Sequence, residues 1–551
     1  MKYNHLSYFI KVYNHLMEII PIEIVQQIIY FLDTKSQIKL RSCCKYFYDG
    51  IRIYNFTSLR DAYTKKLNYN ILLSYPYLRS LDLQSHNQLQ IDINHLANLT
   101  FLKIGPHITK ECFMSCTNLT NLSCRSNTID DLNHLTKLKH LTVERCSKIT
   151  HRSIKNCVLL EELLLFGPCK INSFERLSNL RSLKTSSNNK LQNQDISKCT
   201  NLTKLHLSNL SAITNINPLV KLQTLVIDNF LGLYIDNFIF DQCTNLTKLC
   251  CYHTLNFLEL NHFPKLKRLQ LHFCDANIEN CTNLVKLNID YTNKIYNINS
   301  LQNLYYLSVT SSKITINEFI NCTLITKLYI NETGYIYDLN HLPNLKELYA
   351  SNSNIQNITN CTQLKKLEIN KTSHIANINT LINLTYLSAK KCVLGSDGIK
   401  DCTRLKVLKI KDNIMMKNLN HLTNLTNLSA AGICGVSDDD IVNCTMLKQL
   451  NVSNNYKISN LNHLIYLRRL FANGTCGVDN QGILDCTNLK KLSICYNTNE
   501  LTDFNHLVRL KKLDAFYNIM IADNSIKGCT RLRKLENRGC KNMTIQPYDL
   551  L

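Results

Sequence analysis

Along most of this chain leucine and isoleucine return at intervals of three, three and two, with polar residues between them. After Cys199 the series runs Leu202, Leu205, Leu207, and after Asn420-His421 it runs Leu422, Leu425, Leu428 and Ala430. The last pair of each series flanks one residue, as in Leu367-Glu368-Ile369, which is the inward and outward alternation of a β-strand. Two phrases introduce the series in turn. One centres on a cysteine, at Cys116, Cys157, Cys199, Cys243, Cys281, Cys322, Cys361, Cys402, Cys444, Cys486 and Cys529. The other reads Asn-His-Leu, as at Asn133-His134-Leu135, Asn340-His341-Leu342, Asn420-His421-Leu422, Asn462-His463-Leu464 and Asn505-His506-Leu507. The underlying repeat is therefore about 20 residues long. A first strand at Leu78, Leu81 and Leu83, followed by eleven of each phrase, predicts 23 strands.

Copies this short leave only about a dozen residues to return the chain to the start of the next strand, so the strands must be parallel and the crossovers extended or 3₁₀ rather than full helices. No copy can bury its apolar side alone, and stacked neighbours supply the core. The pattern resembles the LxxLxLxx consensus of leucine-rich repeats over residues 76–540. The resemblance implies an α/β fold: a curved solenoid whose single parallel sheet lines a concave, partner-binding face.

The segment before the repeats is patterned differently. From Ile20 to Asp33, Pro21 suits the first turn of a helix and Glu23 complements its N-terminal dipole. Ile24, Ile28 and Phe31 share one face, with Val25, Ile29 and Leu32 beside them. After Asp33-Thr34 a second helical stretch spaces Leu40, Cys43, Cys44 and Phe47 by helical intervals. About forty residues make a small core, one that a partner protein would complete.

This segment resembles the F-box. Ile20-Pro21-Ile22-Glu23-Ile24 stands for its Leu-Pro-x-Glu-Ile opening, Ile28 to Leu32 for Ile-x-x-x-Leu, and Cys43-Cys44-Lys45-Tyr46-Phe47 for its small, basic and aromatic close. Ile20 replaces the usual leucine, and Phe47 stands where tryptophan is common. Read from its residues alone, the same helical pair could instead cap the open end of the solenoid. The resemblance divides the chain into an F-box-like domain at 16–56, a linker or cap at 57–75, repeats at 76–540 and a tail at 541–551. The AT-rich style of composition and the repeated Asn-Cys-Thr-Asn-Leu phrasing also look like the F-box/leucine-rich repeat proteins of giant viruses of amoebae.

Such a resemblance implies a substrate receptor of a cullin-RING ubiquitin ligase. Ile20, Pro21, Ile24, Ile28, Leu32, Leu40 and Phe47 would bind a Skp1-like adaptor and through it a cullin, and the repeats would hold a protein target. The alternative is a scaffold or decoy that binds partners through the solenoid without ubiquitin transfer.

Composition changes this picture in a few places. The chain of 551 residues carries 63 Lys+Arg against 41 Asp+Glu, a net charge of +22. Such a surface suits polyanions. An AT-rich coding sequence would yield the same lysines, and without Arg-aromatic alternation nucleic acid is the weakest of the expected partners. No apolar run reaches about 18 residues and the N-terminus lacks a signal-peptide core, so an intracellular protein with no membrane contact is expected. The eleven phrase cysteines read as reduced core thiols. Sequons at Asn280, Asn321, Asn360 and Asn443 each contain one of them, which argues against a glycan. Cys43-Cys44 and Cys250-Cys251 lack metal-site spacing, and the recurring histidines read as turn residues bonding local backbone; neither metal nor cofactor is expected. No phosphate-binding loop, nucleophile elbow or HExxH helix occurs, so no catalysis is expected.

Outward positions on the strands nominate a target surface. The residue before the central leucine is a lysine at Lys204, Lys248, Lys286, Lys327, Lys366, Lys491 and Lys534, a row with one cation every ~10 Å that an acidic segment could meet. Tyr306, Tyr329, Tyr349 and Tyr386 add aromatics in the middle of the array. With Lys327 and Lys366 they form the candidate target-binding patch on the concave face.

Overall fold

The computed structural model describes residues 22–29, 32, 34–42, 52–57, 67–85, 91–167, 170–186, 191–208, 213–228, 238–253, 257–292, 295–296 and 298–545. It forms two compact units, Met1–Leu255 and Asn256–Leu551.

The first unit begins with helices α1 (Ile22–Ile29) and α2 (Thr34–Arg41) and a short strand at Asn55–Phe56. That strand starts a parallel ladder which continues through Ser80–Leu83 and Phe101–Ile104 to Lys248–Tyr252, each strand paired with the next one in sequence. Helix α3 (Tyr69–Leu73) precedes the second strand. Asn68 caps it by accepting the amide of Ile71 at 2.9 Å.

The second unit carries an equivalent ladder from Arg268–His272 to Lys534–Glu536, again parallel and in sequence order. Its crossovers hold a second three-stranded parallel sheet, Phe257–Glu259, Asp275–Asn277 and Ile295–Tyr296, and single turns of 3₁₀ helix such as Gln481–Ile483. Little α-helix is present in the repeats. A return of a dozen residues is too short for one, as the spacing implies.

The leucine pattern builds one column per position. Leu307, Leu328, Leu348, Leu367 and Leu387 face one another across successive strands and are fully buried. Each is worth roughly 2 kcal/mol of apolar transfer. In the second unit a left-handed residue follows most strands, including Tyr291, Ser311, Glu332, Asn352, Lys371 and Asp412 at φ between 54° and 61°. Most are not glycine, and each costs about 1 kcal/mol or more. The turn is held by bonds to the next copy: Ser311 N donates to Asn331 O and Glu332 N to Ser351 O, both at 2.9 Å.

The next residue points inward and is polar. Thr292, Ser312, Thr333, Ser353 and Thr372 occupy this column, then Asn413, Asn455, Asn497 and Asn518 alternating in part with cysteines. The hydroxyls cap their own turn, as in Thr333 Oγ1 to Ile330 O at 2.7 Å. The longer asparagines also reach back one copy: Asn455 Nδ2 donates to Ala430 O at 2.8 Å and Val436 O at 3.2 Å, while its Oδ1 accepts Lys457 N at 3.0 Å. The sequence reading missed this ladder. Its trace is a Thr, Ser, Cys or Asn five or six residues after each central leucine.

Candidate interaction surfaces

The described part of the leader bonds within itself, as in Gln37 Nε2 to Leu32 O at 2.9 Å, and is tied to the segments that carry the first strands. In α1, Gln26 bonds the backbone of Arg52 in both directions, Nε2 to O at 2.9 Å and Oε1 from N at 2.7 Å. In α2, Thr34 Oγ1 donates to Asn55 O, and Arg41 donates to Ser74 O at 2.7 Å while lying 4.6 Å over the Tyr75 ring. Val25 is thereby buried at 5% exposure, whereas its neighbour Ile24 stands 48% exposed. Leu32 and Leu40 are half-buried. Of the remaining adaptor candidates, Ile20, Pro21 and Phe47 lie outside the described residues, as does the side chain of Ile28.

The strand-face candidates come together in the second unit. Strands Tyr306–Ser308, Lys327–Tyr329, Glu347–Tyr349, Lys366–Glu368 and Tyr386–Ser388 are consecutive neighbours, so their first and third residues form two outward columns. Tyr306, Lys327, Tyr329, Tyr349, Lys366 and Tyr386 all lie there. Tyr329 and Tyr349 stack with centroids 4.2 Å apart and planes at 4°, and Tyr306 tilts against Tyr329 at 5.6 Å. Lys366 sits 4.7 Å from both the Tyr349 and Tyr386 rings, and Lys327 5.4 Å and 5.5 Å from Tyr329 and Tyr349.

The sequence reading left two carboxylates out of this patch. Lys327 pairs with Glu347 at 2.9 Å and Lys366 with Glu368 at 3.4 Å. Bonding to Glu347 holds the Lys327 ammonium above its ordinary range and the Glu347 carboxyl below its own. Burial, then the 2.9 Å bond to Glu347, pushes the Tyr349 phenol up. The two central lysines are thus not open cations waiting for an acidic segment. They order the rings. The result is a half-buried, pre-set aromatic surface with polar edges, and ring stacking of this kind contributes about 0.5–1.5 kcal/mol per pair.

The phrase cysteines occupy a buried column. Ten of the eleven donate their thiol to a carbonyl of the preceding copy at 3.2–3.5 Å, as in Cys361 to Leu339 O and Cys486 to Leu461 O. Burial pushes these thiols up to about 11 or 12. They are structural donors, poor nucleophiles and poor metal ligands. Among the described residues no group of three His, Cys, Asp or Glu side chains is placed to hold a metal ion. The sequon asparagines are themselves exposed, so burial of the adjoining cysteine does not shield them.

The recurring histidines bond beyond their own turn, contrary to the local bonding expected of them. Nε2 of His421, His463 and His506 meets Ile399 O, Ile441 O and Ile483 O of the preceding copy at 3.1–3.3 Å. Where phenylalanine replaces that isoleucine, the ring packs on it instead: His134 on Phe113 and His341 on Phe319, both at 5.7 Å. Burial lowers the pKa of both. The asparagine beside each histidine is a two-ended clamp. Asn462 Nδ2 donates to Gln481 O and its Oδ1 accepts Asp485 N, both at 2.9 Å.

Among the described residues no helix is long and apolar enough to cross a membrane. Residues 17–59 match the F-box domain family. No curated protein sequence matches the chain. Among solved structures it is similar to an internalin, InlF of Listeria monocytogenes, at 24% identity over 46% of this chain and 82% of that one, with a TM-score of 0.40. The functional domain of InlJ from the same organism, described as including a cysteine ladder, is 19% identical over 62% and 69%, with a TM-score of 0.38. TLR13 in its complex with ssRNA13 is 16% identical over 85% and 92%, with a TM-score of 0.48. The F-box match at residues 17–59 thus stands ahead of a parallel-strand solenoid whose leucine pattern is of the leucine-rich repeat type.

Proposed function

We propose that this chain is the substrate-recognition subunit of a Skp1–cullin–F-box ubiquitin ligase. The observation that carries the reading is the F-box match at 17–59 standing directly ahead of a leucine-rich solenoid. On this reading the adaptor contacts Ile20, Pro21, Ile24, Ile28, Leu32, Leu40 and Phe47. The exposed Ile24 beside the buried Val25 is what such a covered face would look like before its partner arrives. The target is a protein held by Tyr306, Lys327, Tyr329, Tyr349, Lys366 and Tyr386. The chain contributes binding and placement, and bond chemistry belongs to the rest of the ligase. It works inside the cell, in host cytoplasm or nucleus if the composition reflects a giant virus, and its domains divide near residues 56 and 76.

The deciding experiment mixes the purified full chain with purified Skp1. Association that is abolished by Pro21→Ala with Ile28→Asp supports the reading. No association, or binding indifferent to those substitutions, leaves the scaffold or decoy reading, under which deletion of residues 1–60 preserves function.

A further inference from the structure

The last four turns of the second unit differ from those before them. Strands Arg469–Phe471, Lys491–Ser493, Lys512–Asp514 and Lys534–Glu536 are consecutive neighbours in register. Each begins with a cation, and each is preceded by another: Arg468-Arg469, Lys490-Lys491, Lys511-Lys512 and Arg533-Lys534. Arg509 and Arg531 extend the last two turns, making ten cations. In the ten preceding ladder strands only Lys267-Arg268 and Lys365-Lys366 are such doublets.

Strand stacking places these doublets ~4.8 Å apart, as a ribbon about 14 Å long at the strand-entry corner. Among the described residues none of the ten lies in an ion pair, in contrast to Lys327 and Lys366 on the tyrosine patch. Their polar contacts are to amides: Arg469 to Gln449 Oε1 at 3.5 Å and Arg509 to Asn488 Oδ1. Most of the ten are exposed. Asp514 and Glu536 stand in the other outward column of the last two strands and pair with none of the ten. So many like charges held together without ion pairs raise the energy of the unbound surface, which a polyanion would relieve.

We propose that this corner binds the phosphate backbone of a nucleic acid. Two observations favour phosphates over an acidic protein segment. Exposed Ile465, Tyr466 and Val508 flank the doublets, but within the doublet columns every residue is a cation, whereas protein interfaces draw their energy from central aromatic and apolar anchors and are depleted in lysine. Its charge is also uniform along the solenoid. Ten cations over about 14 Å are comparable with duplex nucleic acid, which carries one negative charge per ~1.7 Å of axis. Neutralising phosphates releases counterions and needs no sequence-specific contact. The surface is separate from the tyrosine patch and does not depend on the ubiquitin-ligase reading.

The test is fluorescence anisotropy of the full chain with labelled single-stranded RNA and duplex DNA of about 20 nucleotides or base pairs. The expected result is binding of at least one of them that weakens about a hundredfold between 50 and 200 mM salt. The variant K490E/K491E/K511E/K512E should lose at least about tenfold, with an intermediate loss for the same positions changed to glutamine. The variant K400E/K411E/K417E/K457E, with the same change in net charge on exposed lysines elsewhere in the unit, should lose much less. Equal losses in the two charge-reversal variants, salt-independent binding, absence of binding, or equal competition by a polyglutamate peptide would each overturn the assignment, the last in favour of an acidic protein segment.

Discussion

Ile24 and Val25 are adjacent, similar in chemistry and opposite in environment, because the bonds of Gln26 to Arg52 fix which side of α1 faces the chain. Ile24→Asp should leave the melting temperature within a degree or two while removing Skp1 association. Val25→Asp should lower stability itself, since it buries a charge beside the first strands. Helical spacing put Ile24 on an apolar face, but spacing could not say that Ile24 itself is uncovered. The cysteine column shows the reverse case. Its period marked a core position, and only the structure showed that the thiol is also a hydrogen-bond donor. Burial raises the folded-state pKa above the ordinary 9.0 to about 12. The protonated thiol's contribution is therefore complete below pH 9 and falls as pH rises through 9 to 12. Cys361→Ala should cost about 1–2 kcal/mol at pH 7, and less at pH 10, in denaturant titrations at the two pH values. In the native protein these thiols should resist alkylation at pH 8 until the chain unfolds.

At the scale of the repeat, asparagine does two different jobs that its abundance conceals. Asn462 clamps exposed backbone of the following copy, where water can replace it. Asn455 is buried and serves Ala430 O, Val436 O and Lys457 N. Asn455→Ala should therefore cost about 1–3 kcal/mol, the penalty for stranding buried polar groups, and Asn462→Ala closer to 0.5–1.5 kcal/mol; chemical denaturation of the two variants compares them directly. The Asn-His-Leu phrase made the first class visible as a period. The second has no fixed residue type, since threonine, serine and cysteine fill the same column in other copies, so no single-letter period announces it. Strand positions were legible because leucine spacing of three, three and two allows no other stacked geometry. Glu347 was missed for a related reason: it lies on the strand beside Lys327 and in the same column, so its role appears only once register is fixed. Glu368 lies two residues from Lys366 on the same strand, where strand alternation alone puts both on the outward face.

Across the whole chain, the F-box helices lie in Met1–Leu255 and the tyrosine patch in Asn256–Leu551, so their substitutions should act independently. Tyr329→Ala with Tyr349→Ala removes the stacked pair. It should reduce ubiquitination of a bound target at least about tenfold, as loss of an aromatic hot spot does, with Skp1 binding unchanged. Loss of both activities would show that the substitutions unfolded the protein rather than altered a surface. The sequence by itself determined the parallel ladder, the buried leucine and cysteine columns and the order of F-box before repeats. Each of these follows from local period, because a side chain's burial in a solenoid depends on its place within one copy. Register and exposure belonged to the tertiary structure. Arg468-Arg469 and Lys490-Lys491 are about 20 residues apart in the chain and scattered in a lysine-rich composition, yet strand pairing lays them side by side. The same stacking sets Lys327 against Glu347 and silences it. Charge in this molecule is decided between copies, at ~4.8 Å, whereas the pattern that builds each copy is decided within it.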